Sequence, residues 1–304
     1  MEELKETYGR AVLESLAEIY RQLYLVPGKK GEEEYSLVVR QGQEPEEKNL
    51  SHFKSDEKDS LVFMDTPVGE VCVITLNERQ DFVTFLQIMA NRCAEVNIPD
   101  TQGASILSGV INWRKIEARR DAFFEEEKEK GNDFPDWNGE FKRFTSDKSN
   151  YLDTLIVLSV GPYSFVPGSE FGFSAEEWTA YSNTIRLYHE CTHFICRKKF
   201  PEKKDAVMDE LVADAVGIYA AFGKFNRQME ERFLGISGGH YTGGRLENYV
   251  TADTEEEKSR ILAEMSGKVS AVLSEFDDII SARESISPFE LAVLLGEGSF
   301  SVTI

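Results

Sequence analysis

The chain is poor in cysteine, histidine and proline, with four, four and nine of its 304 residues. The cysteines, Cys72, Cys93, Cys191 and Cys196, are too few and too irregularly spaced for a disulfide framework. Cys191 and Cys196 stand five apart in one helical segment, poorly placed to share a metal, and read as small buried side chains. No apolar run approaches the roughly 20 residues that a membrane-spanning helix needs. Met1-Glu2-Glu3-Leu4-Lys5-Glu6 lacks the basic segment and apolar core of a signal peptide, so a soluble, cytoplasmic protein is expected. Positive charge is scarce too: 34 Lys and Arg against 54 Asp and Glu give a formal charge of −20. Nucleic acids and anionic membranes both recruit cationic patches, so neither is an expected partner. Such acidity serves solubility. There is no internal repeat or low-complexity segment.

What is present is an ordinary globular composition, 41% apolar and 11% aromatic, in a chain long enough for one large domain or two small ones. Periodicity predicts an amphipathic helix over 3–25, a strand over 35–39, and a hairpin from 61–64 and 71–76. A polar loop over 41–59 precedes that hairpin, and a helix over 78–96 follows it. Residues 1–98 are expected to form an N-terminal α/β module, with a boundary near Ile98-Pro99-Asp100 and a second domain over 99–304. Small polar residues fill 101–108. A charged helix spans 112–130, its Glu125 to Lys130 run reading as a solvated helix end. Trp137 and Phe141 fall among turn formers and are read as loop aromatics. The strongest strand covers 153–160, around Leu155-Ile156-Val157-Leu158, and helices over 254–283 and 288–295 read as scaffold.

The chemistry gathers between Glu176 and Phe222. Ser174 and Glu177 have capping-box spacing ahead of a helical pattern through Trp178, Tyr181, Ile185, Tyr188 and Ile195, and Arg197, Lys198, Lys199 and Pro201 suit its end. At its centre stands His189-Glu190-Cys191-Thr192-His193. Four residues apart, the two histidines share one helix face with Glu190 beside them, the H-E-x-x-H arrangement that binds zinc. The chain's own residue frequencies produce that pattern by chance in fewer than about one in a hundred such chains. The plainer alternative is an ordinary amphipathic helix with Arg186 as an ion-pair partner.

A second helix is expected over 202–222, apolar around most of its circumference, with Glu210 and Asp214 one turn apart among Ala206, Ala213, Gly217 and Ala221. Small residues there let another helix come close. Buried carboxylates require a cation or donors. A metal held by His189 and His193 meets that need, with Glu210 as third ligand and Asp214 accepting the spare N–H of a histidine. Asp209 is a rival ligand, pointing about 100° away.

These two helices resemble the gluzincin type of zincin metallopeptidase, whose H-E-x-x-H is followed on the next helix by E-x-x-x-D, here Glu210-Leu211-Val212-Ala213-Asp214. The likeness covers about fifty residues. It implies an α+β zincin-like fold, mostly helical with a small sheet beside the zinc helix. It also implies Zn2+ on His189, His193 and Glu210, Glu190 as general base, Asp214 orienting a histidine, and a peptide or protein substrate. By the same analogy, the strand over 153–160 would be the sheet edge that pairs with substrate. The glycine-rich segment 235–245 is open to two readings: a loop that approaches a ligand closely, with His240 or Tyr241 donating to a developing oxyanion and Arg245 holding a substrate carboxylate or anchoring the loop on an acid, or a flexible turn with no chemistry. The alternative is a zinc-stabilised interaction or regulatory protein without turnover, in which Glu190 has no use.

Overall fold

The structure, a computed structural model, describes residues 4–28, 33–203, 205–298 and 300, and has an α+β architecture. Glu3, the expected start of the first helix, lies outside the described residues. Two compact units emerge, one of residues 1–63 and 71–159, the other of residues 64–70 and 160–304. The division falls at 159/160 rather than near 98 because residues 104–111 and 152–159 are strands hydrogen-bonded into the first unit's sheet.

In the first unit, β1 (Thr7–Tyr8) leads into α1 (Ala11–Ile19), which buries Val12, Leu13 and Leu16 and passes into a 3-10 turn at Arg21–Tyr24. The segment expected as a strand over 35–39 is helical instead: α2 (Glu33–Tyr35) continues as a π-helical stretch, Ser36–Arg40. Tyr35 and Val38, three apart on one helical face, reach the core, so packing overrides the strand preference of the Leu-Val-Val run. The strands β2 (Ser60–Thr66) and β3 (Gly69–Leu76) form where the hairpin is expected, and α3 (Arg79–Met89) follows.

β4 (Ala104–Ile111) occupies the stretch read as merely small and polar, and α4 (Trp113–Glu129) is capped by Asn112, whose side chain accepts from the Lys115 amide. Trp137 and Phe141 are not in a loop. They sit on α5 (Trp137–Ser146), started by Asp136, which accepts from the Gly139 amide. β5 (Leu152–Ser159) completes a sheet ordered β1-β2-β3-β5-β4, parallel to β3 and antiparallel to β4. The expected edge strand is therefore interior, which explains its unbroken apolar run, and β4 takes the edge.

The second unit is helical. α6 (Ala175–Lys199) begins with the Ser174/Glu177 capping box and ends in the expected basic turn. α7 (Ala206–Phe222) is capped by Asp205, which accepts from the amides of Val207 and Met208, and closes on left-handed Gly223. A Cβ on Gly217 would stand 2.6 Å from the Ile185 carbonyl oxygen, so the backbones of α6 and α7 touch there. After α8 (Arg227–Leu234) come the short strands β6 (Ile236–Ser237) and β7 (His240–Tyr241), a 3-10 turn at Arg245–Tyr249, α9 (Glu255–Ser281) and α10 (Pro288–Glu297). Trp178, Ile185, Leu211, Val216, Phe233 and Phe276 meet in its core. Among the described residues, no helix is long and apolar enough to cross a membrane.

Candidate metal centre

Close contact at Gly217 brings the polar residues of α6 and α7 face to face. His189 and His193 are both buried, and their Nε2 atoms lie 2.9 Å apart. The Glu210 carboxylate approaches the same point, 3.6 Å from His189 Nε2 and 3.4 Å from His193 Nε2. One ligand atom from each of the three lies within 4.8 Å of the others.

The far side of each ring is fixed by an acid. His189 Nδ1 lies 2.8 Å from Asp214 Oδ1, and His193 Nδ1 lies 2.8 Å from Asp209 Oδ2. An ionised carboxylate only accepts hydrogen bonds, so each Nδ1 carries a hydrogen and each neutral ring turns a bare Nε2 lone pair inward. Two lone pairs and a carboxylate facing one another in a buried space repel unless a cation stands between them. This donor set of two imidazoles and a carboxylate, each imidazole tied behind to an acid, could hold a metal ion.

Without a metal, a proton takes its part. Burial works against a charged His193, but its bonds to Asp209 and Glu210 outweigh burial and push its pKa up to about 10. Burial likewise opposes charge on Glu210, yet His193 and His189 hold it far below the usual carboxylate range. Glu190 is half-buried next to His189, and no hydrogen bond or ion pair occupies its carboxylate among the described residues. A carboxylate in that position is left able to act on a bound molecule.

Behind Asp214 lies a layer drawn from distant segments. Tyr163 donates to Asp214 Oδ1 at 2.6 Å, and its oxygen lies 2.8 Å from His189 Nδ1. Arg245 donates through Nη2 to Asp214 Oδ2, and through Nη1 to Ser164 Oγ at 3.2 Å. Asp214 is fully buried, and burial opposes its charge, but Arg245 and His189 keep it below the usual carboxylate range. Burial and neighbouring Asp214 push the Tyr163 hydroxyl well above its ordinary value. Arg186, one turn before His189, donates to the carbonyls of Gly161 and Pro162 and lies over the Tyr163 ring.

Of the residues singled out from the sequence, His189, His193, Glu190, Glu210 and Asp214 come together. His240 and Tyr241 do not join them. His240 is exposed, and the Tyr241 hydroxyl is spent on its own loop, donating to the Gly244 carbonyl at 3.0 Å and accepting from the Gly244 amide at 2.9 Å. The glycines serve that loop rather than a ligand: a Cβ on Gly244 would fall 2.6 Å from the Gly235 Cα, so the two ends of the loop cross in contact. The crossing delivers Arg245, which anchors on an acid, the second of its two expected roles. Asp209, considered as a rival ligand, is instead the partner of His193 Nδ1.

A family model described as a family of unknown function (DUF7005) matches residues 4–296, and the chain belongs to that family. No curated protein and no solved structure matches it.

Proposed function

We propose that this member of DUF7005 is a zinc-dependent hydrolase of the gluzincin type that cleaves peptide bonds. The observation that carries the reading is the pair of inward Nε2 atoms, each ring held from behind by its own carboxylate, converging with Glu210 beside an uncommitted Glu190. His189, His193 and Glu210 would hold the ion, with Asp214 and Asp209 fixing the two rings. A zinc ion with three protein ligands supplies Lewis-acid chemistry, lowering the pKa of a water and polarising a carbonyl. Glu190 accepts the water's proton on its carboxylate and returns it to the leaving amine nitrogen. Asp214 and Tyr163 keep the Nδ1 hydrogen of His189 in place throughout, and Asp209 does the same for His193. The two-part motif, H-E-x-x-H and then E-x-x-x-D, supports the same reading and with it a zincin-like fold.

The test pairs metal content with turnover. The purified chain should hold one zinc ion and cleave members of a peptide library. Glu190→Gln should keep the zinc and the fold while losing at least about 10² to 10⁴-fold in turnover, the usual contribution of general acid–base catalysis. A zinc-loaded parent that cleaves nothing would favour the non-catalytic, zinc-stabilised protein, and a Glu190→Gln variant as fast as the parent would overturn the mechanism.

A further inference from the structure

The second unit contains a cavity of about 650 Å³ where the end of α6, the first turns of α7 and the end of α10 meet. We propose that it is a binding site for a monoanionic amphiphile, an apolar carboxylate of medium chain length. The volume falls within the range of small-molecule sites, roughly 300–1,000 Å³. Phe200, Met208, Val212, Leu295 and Phe300 give it apolar walls.

Among the described residues, every charged lining group but one already holds at least one hydrogen bond. Lys203 donates to the carbonyls of Gly296, Glu297 and Gly298 at 2.8, 2.8 and 3.0 Å, closing the end of α10. Asp205 caps α7 by accepting from Val207 and Met208, and Asp209 holds His193. Arg197 is exposed at the rim, and among the described residues it is the lining cation without a hydrogen bond or ion pair. The space therefore offers apolar surface and one available guanidinium.

That combination selects the ligand's chemistry. A carboxylate matches the fork of Arg197, and an alkyl chain replaces water on the walls. A polyol would lose hydration without gaining partners. A dianion such as a phosphate monoester would have one available cation for two charges. Because the site shares no ligand with the metal cluster, it stands whether or not the chain is a hydrolase.

The experiment is calorimetric titration of the full chain, zinc-free and zinc-loaded, with hexanoate, octanoate and decanoate below their micelle concentrations. Saturable 1:1 binding is expected, tightening about fourfold for each added methylene. Decyltrimethylammonium should bind more weakly than decanoate although the protein carries a formal charge of −20. Arg197→Glu lies on the surface, should fold normally, and should weaken decanoate by about tenfold or more. Val212→Phe, its fold checked by circular dichroism, should abolish binding by filling the space. No saturable binding, no dependence on chain length, or equal binding of the ammonium and the carboxylate would overturn the proposal.

Discussion

Gly217 on α7 lies against the carbonyl oxygen of Ile185 on α6, with no room between them for a methyl group. The distance between the two helices, and hence between the histidines and Glu210, is set at that contact. Gly217→Ala should therefore force the helices apart, costing about 1–3 kcal/mol of stability from overpacking and weakening zinc binding as well. Gly267, exposed on α9 with nothing within 4 Å of where a methyl group would stand, is the control: Gly267→Ala should stabilise by about 0.5–1 kcal/mol. Thermal unfolding and zinc titration of both variants check this. Equal behaviour of the two would remove Gly217 from the account.

Asp209 and Asp214 perform the same task for different rings, at the same 2.8 Å distance. Asp209→Asn and Asp214→Asn should each weaken zinc about 10 to 100-fold, the usual cost of losing an outer partner. Asp214→Asn should cost more stability, because Asp214 is fully buried and carries the charge that partners the half-buried Arg245, while Asp209 is partly exposed. Competition with a chelator of known affinity reads the first effect and urea unfolding the second. An unaffected zinc affinity in either variant would place that carboxylate outside the metal's support.

In the zinc-free chain the His193 ring holds a proton at neutral pH, its pKa being about 10, and zinc requires the lone pair that this proton occupies. Zinc uptake at pH 7 should release that proton, visible as a dependence of the calorimetric heat on the buffer's ionisation enthalpy. The same raised pKa gives chelated protein a stabilising contribution that is complete below about pH 6.5, the unfolded value, and is lost as pH climbs through about 10. Chelated protein that is equally stable at pH 6 and pH 10 would contradict this.

Glu230 on α8 is fully buried, and neither oxygen has a hydrogen-bond partner among the described residues. Burial and nearby Asp214 keep its pKa well above the usual value. Above about pH 4.3 the unfolded chain releases this proton while the native one keeps it, so the native state binds more protons and stability falls as pH rises. Glu230→Gln has no such proton and should gain on the parent between pH 5 and pH 8 in urea unfolding. Parallel stability profiles for the two proteins would reject the assignment.

The helices of the candidate metal centre were legible because their signals are local. Ser174 and Glu177 form the expected capping box, and Gly217 and the alanines of α7 lie where a close helix contact needs small residues. The role of Asp209 was not legible, since a helical wheel places it about 100° from Glu210 and so away from the ligands. The two imidazoles turn their Nδ1 atoms to different sides, however, and an acid directly before a ligand on the facing helix was the signal that could have found it. Tyr163 and Arg245 reach Asp214 from positions that no periodicity links to it. β4 was hidden by its small residues, Ala104, Ser105, Ser108 and Gly109, and by a bulge between Ser108 and Val110.

The partners in this cluster are separated very unequally along the chain: His193 and Asp209 by 16 residues, His189 and Asp214 by 25, Tyr163 and Arg245 by 82. Short loops cost less entropy to close and close sooner. During synthesis, every proposed zinc ligand and both carboxylates behind the rings exist once residue 214 has been added, while the arginine that clamps Asp214 is still untranslated. The proposed ligand set lies on one helical hairpin, closed by shorter loops than the contact that brings Arg245 to Tyr163, so in refolding metal capture is expected to precede arrival of the clamp, and the ion would serve as a template on which the rest of the unit assembles.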